Sequence, residues 1–412
     1  KRKEHKDVSG AMPFREFSEQ APECYELESP DEVTMTLVTQ VSHDRLWMLK
    51  HHCDRYRNQE GSSYDQHPMS IAVYSNATLD GILEELREMD CGVKGTTEKA
   101  PVTVSVLDAK THGAWNEFPV NELRNLALSK VETTHILYID VDFWPSDQLY
   151  ETIMDNFFDS QDTDEDAKSI RQELVDDPKL ALVIPAFQLW RQCREWEDCR
   201  DQNIPHMEKA RTPHGMAHEI IENKSITIFD PTNKGGHGST DYEAWFHQPQ
   251  GSLVDIDCLQ SNRYEPFVAI RYCKDLPPFQ TAFSGYGKNK VTWMMQVIAS
   301  GYVFSQVGGA YLVHYPHLDS ASRQVWNGPK TDSPTSKKKS KQKSKSKQTK
   351  RHKIDKLFVD FKAWLDETII AKGNQRMEAC EDAQDDDSKL WVETKPNKPV
   401  TRKRIENFQK EK

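Results

Sequence analysis

Two patterns of apolar and polar positions alternate along the first third of the chain. Four runs are β-branched or continuously apolar, as is typical of buried strands, and they cover residues 33–39, 69–74, 102–107 and 135–139. Between them, apolar residues recur at the spacing of one helix face, and these stretches cover residues 44–56, 79–89 and 121–131. The alternation predicts an α/β fold with a mostly parallel central sheet flanked by helices. Ligands of such open sheets bind at the carboxyl ends of the strands, which draws attention to the residues after Ile139.

Later patterns divide the chain into segments. Further strands are expected at 180–184, 268–272 and 302–313, and further helices at 289–299 and 354–371. Residues 330–352 are lysines among polar residues and cannot bury a core. We therefore expect a flexible N-terminal arm (1–30), a main domain (31–327), a disordered Lys/Ser-rich insert (328–352), a C-terminal helix that packs on the domain (353–377) and a polar tail (378–412).

Charge and composition narrow the classes of function. The chain is 36% hydrophobic and 29% charged, and its formal net charge is −11. Nucleic-acid binding requires a basic footprint, so this acidic balance argues against a nucleic-acid partner. No apolar run reaches the roughly 18 residues that a bilayer-spanning helix needs. A membrane is expected to be contacted only through an N-terminal anchor that is absent from this chain.

The eight cysteines bear on the compartment. None lies in a Cys-x-x-Cys pair, which argues against a zinc ribbon or a redox motif. Two pairs are close in sequence and are candidate disulfides, Cys193 with Cys199 and Cys258 with Cys273. Glycosylation triplets begin at residues 76 and 223 and, with the cysteines, favour a secretory compartment. Eight buried thiols are the alternative interpretation.

The strongest local signal is an apolar strand that ends in Asp140-Val141-Asp142. Residues two apart in a strand project to the same side, so both carboxylates can approach one cation. Divalent cations such as Mg²⁺ and Mn²⁺ take oxygen ligands and leave positions open for phosphate oxygens. The alternative is an acidic strand end followed by a turn at Trp144-Pro145-Ser146.

Three weaker signals carry further candidates. His314, at a late strand end, is a possible metal ligand as a neutral imidazole, although a structural histidine is the commoner case. Gly285-Tyr286-Gly287 precedes a predicted helix, where free N–H groups and Lys290 would attract an anion, and the alternative is a glycine turn with solvated lysines. Arg124 would bind a diphosphate oxygen or form a surface salt bridge.

Taken in order, five stretches resemble glycosyltransferase family 49, the family of the second catalytic domain of the LARGE enzymes and of a β-1,4-glucuronyltransferase. They are NELRNLALSKVETTHILYIDVDFWPSDQLYE, LVIPAFQL, GGHGSTDYEAWF, YEPFVAIRY and FSGYGKNKVTWMMQVIASGYVFSQVGGAYLVHYPH. Their order and spacing make the resemblance, over roughly residues 33–327, far more specific than any single motif.

The resemblance implies a GT-A fold, in which a Rossmann-like half binds the nucleotide-sugar and a second subregion binds the acceptor. It implies Mn²⁺, or Mg²⁺ in its place, held by Asp140, Asp142 and His314. It implies inverting transfer, typically of glucuronic acid, from a UDP-sugar to a glycan or glycoprotein acceptor in the Golgi lumen, by a type II membrane protein. The expected nucleotide-sugar-binding residues are Arg124, Asn125, Asp140, Gly285, Tyr286, Gly287 and Lys290.

Inverting transfer needs a carboxylate that accepts the proton of the attacking hydroxyl. Two carboxylates are candidates, Glu265 and Asp241, and Glu265 is preferred. Family members often carry acids just before the Gly-Tyr-Gly segment, whereas residues 278–283 have none here. Two alternatives stay open: a catalytically silent carbohydrate-binding protein on the same fold, and a scaffold that holds anionic polymers through its lysines.

Overall fold

The computed structural model describes residues 13–57, 66–93, 101–112, 118–155, 168–192, 199–327, 350–381 and 383. Most of the expected insert, residues 328–349, and most of the polar tail lie outside the described residues. Among the helices that are described, none has both the length and the apolar character needed to cross a bilayer.

The strands are β1 (Met35–Ser42), β2 (Met69–Ser75), β3 (Val102–Asp108), β4 (His135–Tyr138), β5 (Phe143–Pro145), β6 (Leu180–Ile184), β7 (Ala186–Leu189), β8 (Ile226–Ile228), β9 (Leu253–Asp255), β10 (Cys258–Leu259), β11 (Phe267–Arg271), β12 (Val303–Val307), β13 (Leu312–His314) and β14 (Glu378–Ala379).

The helices are α1 (Leu49–Arg55), α2 (Leu79–Glu88), α3 (Ala109–His112), α4 (Val120–Leu128), α5 (Leu149–Met154), α6 (Ile170–Asp176), α7 (Arg200–Lys209), α8 (Pro213–Ile221), α9 (Lys234–His237), α10 (Tyr242–Trp245), α11 (Asn289–Ala299), α12 (Ala321–Asn327) and α13 (Lys350–Thr368). Short 3₁₀ helices cover Pro30–Glu32, His43–Met48 and Ile370–Lys372.

The main sheet has eight strands in the order β3-β2-β1-β4-β11-β6-β12-β9. The first four run parallel, as do β6 and β12, whereas β11 runs antiparallel to both of its neighbours, β4 and β6. The reversal puts the amino end of β11 at the same edge as the carboxyl ends of β1 and β4. The α/β class with a mostly parallel sheet is confirmed, although the direction of β11 was not predicted.

A second sheet lies beside that edge, in the order β5-β13-β7-β8. The stretch predicted as one strand at 302–313 is two strands in different sheets, because Gly308 and Gly309 break it and Gly309 has a φ of +80°. The alternative prediction of a turn at Trp144-Pro145-Ser146 is also wrong in part, because Phe143–Pro145 forms β5 and pairs with β13. Ladder pairing satisfies the backbone groups of these buried residues.

Residues 13–30, expected as a flexible arm, contact the domain. The ring of Phe14 packs against Phe283 and lies edge-on to Phe361 of α13, at centroid distances of 6.2 and 5.3 Å. The backbone of Arg15 exchanges two hydrogen bonds with the buried amide of Gln280, at 2.9 and 2.7 Å. This segment and α13 therefore cover the same side of α11.

Disulfides cross-link distant parts of the chain. Cys24 is bonded to Cys273, Cys53 to Cys91 and Cys258 to Cys380, and Cys199 is also in a disulfide. The candidate pair Cys258–Cys273 is therefore wrong, because each of these residues meets a partner that is remote in sequence. The candidate Cys193–Cys199 involves a position outside the described residues. Disulfides of this number fit an oxidising compartment.

Replacing both Cys24 and Cys273 by serine is expected to lower the free energy of unfolding by about 2–5 kcal/mol, because the bond constrains a long loop in the unfolded chain. The bond spans 249 positions and fixes the N-terminal segment to the sheet. Denaturant unfolding of the variant and the parent chain measures the difference. A change below about 0.5 kcal/mol, the size of an ordinary surface substitution, would contradict the expectation.

Candidate active site

A cleft of about 920 Å³ opens at the carboxyl ends of β1 and β4. Most of the sequence candidates meet there although they come from distant parts of the chain. The candidates that line the cleft are Arg124, Asp140, Asp142, Glu265, Gly285, Tyr286, Gly287, Lys290 and His314. A concave, partly apolar site of this size suits a substrate or cofactor of several rings.

The two aspartates that follow β4 have different surroundings. Oδ1 of Asp140 accepts hydrogen bonds from Gln40 at 2.7 Å, Tyr138 at 2.6 Å and Arg124 at 2.9 Å. Burial opposes the charge of Asp140, but Arg124 and Lys290 outweigh it and lower the pKa of the carboxyl. Asp140 is thus held ionised by a fixed set of donors.

Asp142 points instead toward two histidines. Antiparallel pairing of β5 with β13 puts His314 opposite Phe143, and the N–H of Tyr315 donates to the carbonyl of Asp142 at 2.7 Å. As a result, Oδ2 of Asp142 lies 2.7 Å from Nε2 of His317 and 3.9 Å from Nε2 of His314. One ligand atom from each of these three residues lies within 4.8 Å of the others. We call Asp142, His314 and His317 the metal triad.

The protonation of the triad fits a bound cation. Nδ1 of His317 lies 2.7 Å from the carbonyl of Leu318, which would accept an N–H there, and 3.1 Å from Nη2 of Arg45, which would donate to a lone pair there. A cation bound between Asp142 and Nε2 of His317 requires the hydrogen on Nδ1, and the carbonyl of Leu318 can accept it. Burial lowers the pKa of His314 to about 4, which keeps its imidazole neutral and able to ligate.

This triad differs from the expected set of Asp140, Asp142 and His314. The group that could hold an ion includes His317 and not Asp140, whose Oδ1 accepts three hydrogen bonds, and the ligand role of Asp140 stays a prediction. The second histidine of His314-Tyr315-Pro316-His317 was visible in the sequence. It was missed because Pro316 ends the strand there, and the direction of the next side chain depends on the turn rather than on strand alternation.

Two residues assigned to nucleotide-sugar binding have other partners. Arg124 is 3% exposed and donates to Asp140, Asn121 and Asn289, so its guanidinium is largely occupied within the wall of the cleft. Asn125 does not line the cleft; its amide exchanges two hydrogen bonds with the backbone of Phe279. Arg124 is therefore part of the wall of the cleft, whereas Asn125 stabilises the site from behind.

The structure places the two candidates for the general base in different surroundings. Glu265 reaches the cleft because β11 is antiparallel: Val268 pairs with Tyr138, so the residues before it run past the end of β4 toward Asp140. Asp241 is exposed outside the cleft, and its carboxylate accepts from the N–H of Ala244 as the N-cap of α10. The structure therefore places Glu265 in the cleft and Asp241 outside it.

Glu265 and Lys290 form a charged corner of the cleft. Burial raises the pKa of Glu265, helped by the negative charge of Asp140 and opposed by Lys290. Burial lowers the pKa of Lys290, whose Nζ lies 3.5 Å from the ring centre of Phe267. A carboxylate with a raised pKa in a pocket is the usual form of a general base.

The glycine turn is shaped by the C-terminal helices. Gly285 and Gly287 have φ values of +79° and +98°, which favour glycine. A Cβ on Gly287 would lie 2.7 Å from the ring of Trp326 in α12. The turn therefore brings backbone into the cleft while α12 closes its outer side.

Comparisons with known proteins agree with this geometry. The sequence model of glycosyltransferase family 49, described as a glycosyl-transferase for dystroglycan, matches residues 82–361. The match covers more than half of the chain and defines its class as that of a glycosyltransferase. The chain belongs to glycosyltransferase family 49, which confirms the resemblance seen in the sequence, and the GT-A assignment follows from this membership.

The similar proteins differ from the chain in length. The xylosyl- and glucuronyltransferase LARGE1 of Gallus gallus is 27% identical over 301 residues, 72% of this chain and 33% of that protein. LARGE2 of Mus musculus is 28% identical over 71% of this chain and 35% of that protein. The glycosyltransferase-like protein gnt14 of Dictyostelium discoideum is 26% identical over 72% and 39%. The chain thus spans about a third of the length of the relatives it matches.

Two solved structures show weaker similarity. GalNAc-T7 with UDP, GalNAc and Mn²⁺ has a TM-score of 0.39 at 10% identity, covering 72% of this chain and 48% of that one. TarS 1-349 of S. aureus with UDP-GlcNAc has a TM-score of 0.33 at 10% identity, covering 71% and 61%. Similarity at this level does not bear on the function of this chain.

Proposed function

We propose that the chain is a metal-dependent, inverting glycosyltransferase that moves a sugar from a UDP-sugar to a glycan or glycoprotein acceptor. The observation that carries this proposal is the meeting of the metal triad and the carboxylate of Glu265 in one cleft. Glucuronic acid is the sugar we propose first, because relatives of the chain are named xylosyl- and glucuronyltransferases.

The residues of the chain suit the steps of such a transfer. Glu265 would accept the proton of the acceptor hydroxyl as that oxygen bonds to the anomeric carbon from the face opposite the leaving diphosphate. Lys290 would balance negative charge in the same buried corner. A divalent ion, when bound, stabilises the negative charge that develops on the diphosphate.

The ligands of the triad also suggest which ion binds. Asp142 would bind through an oxygen, and His314 and His317 through Nε2, so the set combines one carboxylate with two imidazoles. Imidazoles suit transition metals, whereas Mg²⁺ prefers oxygen ligands alone. The set therefore supports Mn²⁺ over Mg²⁺ as the resident ion.

We expect Mn²⁺ to restore transfer in the metal-stripped protein at concentrations at least about tenfold lower than those required for Mg²⁺. The reason is the pair of nitrogen ligands. Titrating each ion into the stripped protein and recording both the rate of transfer and the heat of binding measures this preference. Equal affinity for the two ions would argue for an all-oxygen site that does not include the histidines.

The proposal is tested by a donor screen. UDP-glucuronate, UDP-xylose and other UDP-sugars are incubated with the folded protein, Mn²⁺ and xyloside or glucuronide acceptors, and the released UDP is measured. We expect turnover with UDP-glucuronate. UDP binding without any turnover would instead favour a silent nucleotide-sugar-binding protein.

We further propose the Golgi lumen as the location of this activity. Three described disulfides join segments that are 38 to 249 positions apart, as expected in an oxidising compartment. Localisation of the tagged protein by microscopy, with markers of the cytosol and of the Golgi, tests this placement.

A further inference from the structure

Arg45 is a cation beside the metal triad that has no assigned role. It lies in the 3₁₀ helix His43–Met48, which starts directly after β1, and thus at the ligand edge of the sheet. Its side chain is 21% exposed and lines the cleft. The fold therefore fixes the position of this guanidinium and leaves part of it accessible to a ligand.

The contacts of Arg45 within the described residues are poor. Nη1 lies 3.4 Å from Oδ2 of Asp142, which is long for a hydrogen bond between charged groups. Nη2 lies 3.1 Å from Nδ1 of His317, the nitrogen that also lies 2.7 Å from the carbonyl of Leu318. With a cation at Nε2 the ring hydrogen is on Nδ1, which then cannot accept from Arg45. In that state the guanidinium keeps only the long contact with Asp142 among the described residues.

The other cations of the cleft are placed differently. The guanidinium of Arg124 is occupied by Asp140, and Nζ of Lys290 lies over Phe267 near Glu265. Lys288 lies over the ring of Phe358, and Arg323 pairs with Asp319. Of the arginines and lysines in the described part of the chain that line the cleft, Arg45 is the one that contacts the metal triad.

Charge balance indicates what Arg45 binds. A divalent ion bound to Asp142 would neutralise the negative charge that Arg45 now faces. It would also place a second positive charge beside the guanidinium. An anion that bridges the two cations would offset their repulsion, and a planar guanidinium is suited to phosphate oxygens. We infer that Arg45 binds the diphosphate of the nucleotide and couples nucleotide affinity to the metal ion, an inference that rests on the proposed function.

Arg45→Gln tests this inference with UDP as the probe. In saturating Mn²⁺ the variant is expected to bind UDP about 10- to 100-fold more weakly, because charge-assisted hydrogen bonds are lost. Without nucleotide, its affinity for Mn²⁺ is expected to equal or exceed that of the parent, because a neighbouring positive charge is removed. Arg45→Lys keeps the charge without the planar fork and should lie between the two. Calorimetry measures both affinities.

The outcomes separate three explanations. A parallel loss of Mn²⁺ and UDP affinity would show that Arg45 only holds the triad in place, and unchanged UDP affinity would also overturn the inference. If the parent protein itself fails to bind UDP in Mn²⁺, the proposed function fails first. Arg87→Gln is the matched control, since Arg87 is an exposed helix residue paired with Glu84 outside the cleft, and UDP binding should be unchanged.

Discussion

Replacing Asp142 by asparagine is expected to reduce sugar transfer at least about 1,000-fold, because a metal ion supplies several kcal/mol of charge stabilisation in such reactions. Asp142 is the anionic member of the metal triad, and His314 and His317 cannot compensate its charge loss. Affinity for Mn²⁺ should fall together with the rate. Calorimetric titration of the ion and a released-UDP assay measure the two effects.

Two further substitutions make this result specific. Asp44→Asn removes an exposed carboxylate that lines the same cleft without belonging to the triad, and it should change Mn²⁺ affinity less than about threefold. Asp140→Asn should weaken Mn²⁺ binding less than Asp142→Asn does, because Asp140 is bonded to Arg124, Tyr138 and Gln40. The reverse order would restore Asp140 as a direct metal ligand.

Replacing Glu265 by glutamine is expected to lower kcat by about 100- to 10,000-fold, the usual effect of removing a general base. UDP affinity in Mn²⁺ should be unchanged or slightly higher, because the negative charge near Lys290 is lost. Steady-state kinetics together with UDP titration separate the two quantities. A parallel loss of kcat and UDP affinity would assign Glu265 to donor binding instead.

The pH dependence of the parent protein offers a second test of Glu265. The base must be ionised, so the rate falls as the pH is lowered through the pKa of Glu265, which burial raises above its usual range. Asp241→Asn is the matched control: asparagine also caps helices well, and Asp241 lies outside the cleft. Its rate and pH profile should be those of the parent.

Elements with a strong local pattern were predictable from the sequence. The strand at 180–184 and the helix at 289–299 have the predicted bounds, and the helix at 79–89 ends within one residue of its prediction. Periodicity reflects which face of a single element is buried, so elements with a strong period are predicted correctly. It does not report pairing, so the antiparallel direction of β11 and the three-residue strand β5 were not predicted.

The candidate site was predicted in part for the same reason. Asp142 and Glu265 lie beside recognisable strands, Lys290 lies in the first turn of a recognisable helix, and the structure places all three in one cleft. Arg45 and His317 sit on a 3₁₀ helix and after a proline turn, where side-chain direction depends on tertiary contacts rather than on a repeat. The disulfide partner of Cys273 could not be predicted from the sequence either, because it lies 249 positions away.

The pairing of β5 with β13 has a consequence for assembly. Asp142 and His317 are 175 positions apart, so the proposed ion site forms only when both strands have come together. An ion that binds only the assembled chain adds about 2.7 kcal/mol to its stability when present at a hundredfold excess over its Kd. A higher melting temperature with the ion than without it would then show that the two strands have assembled, and this measurement does not require a known sugar substrate.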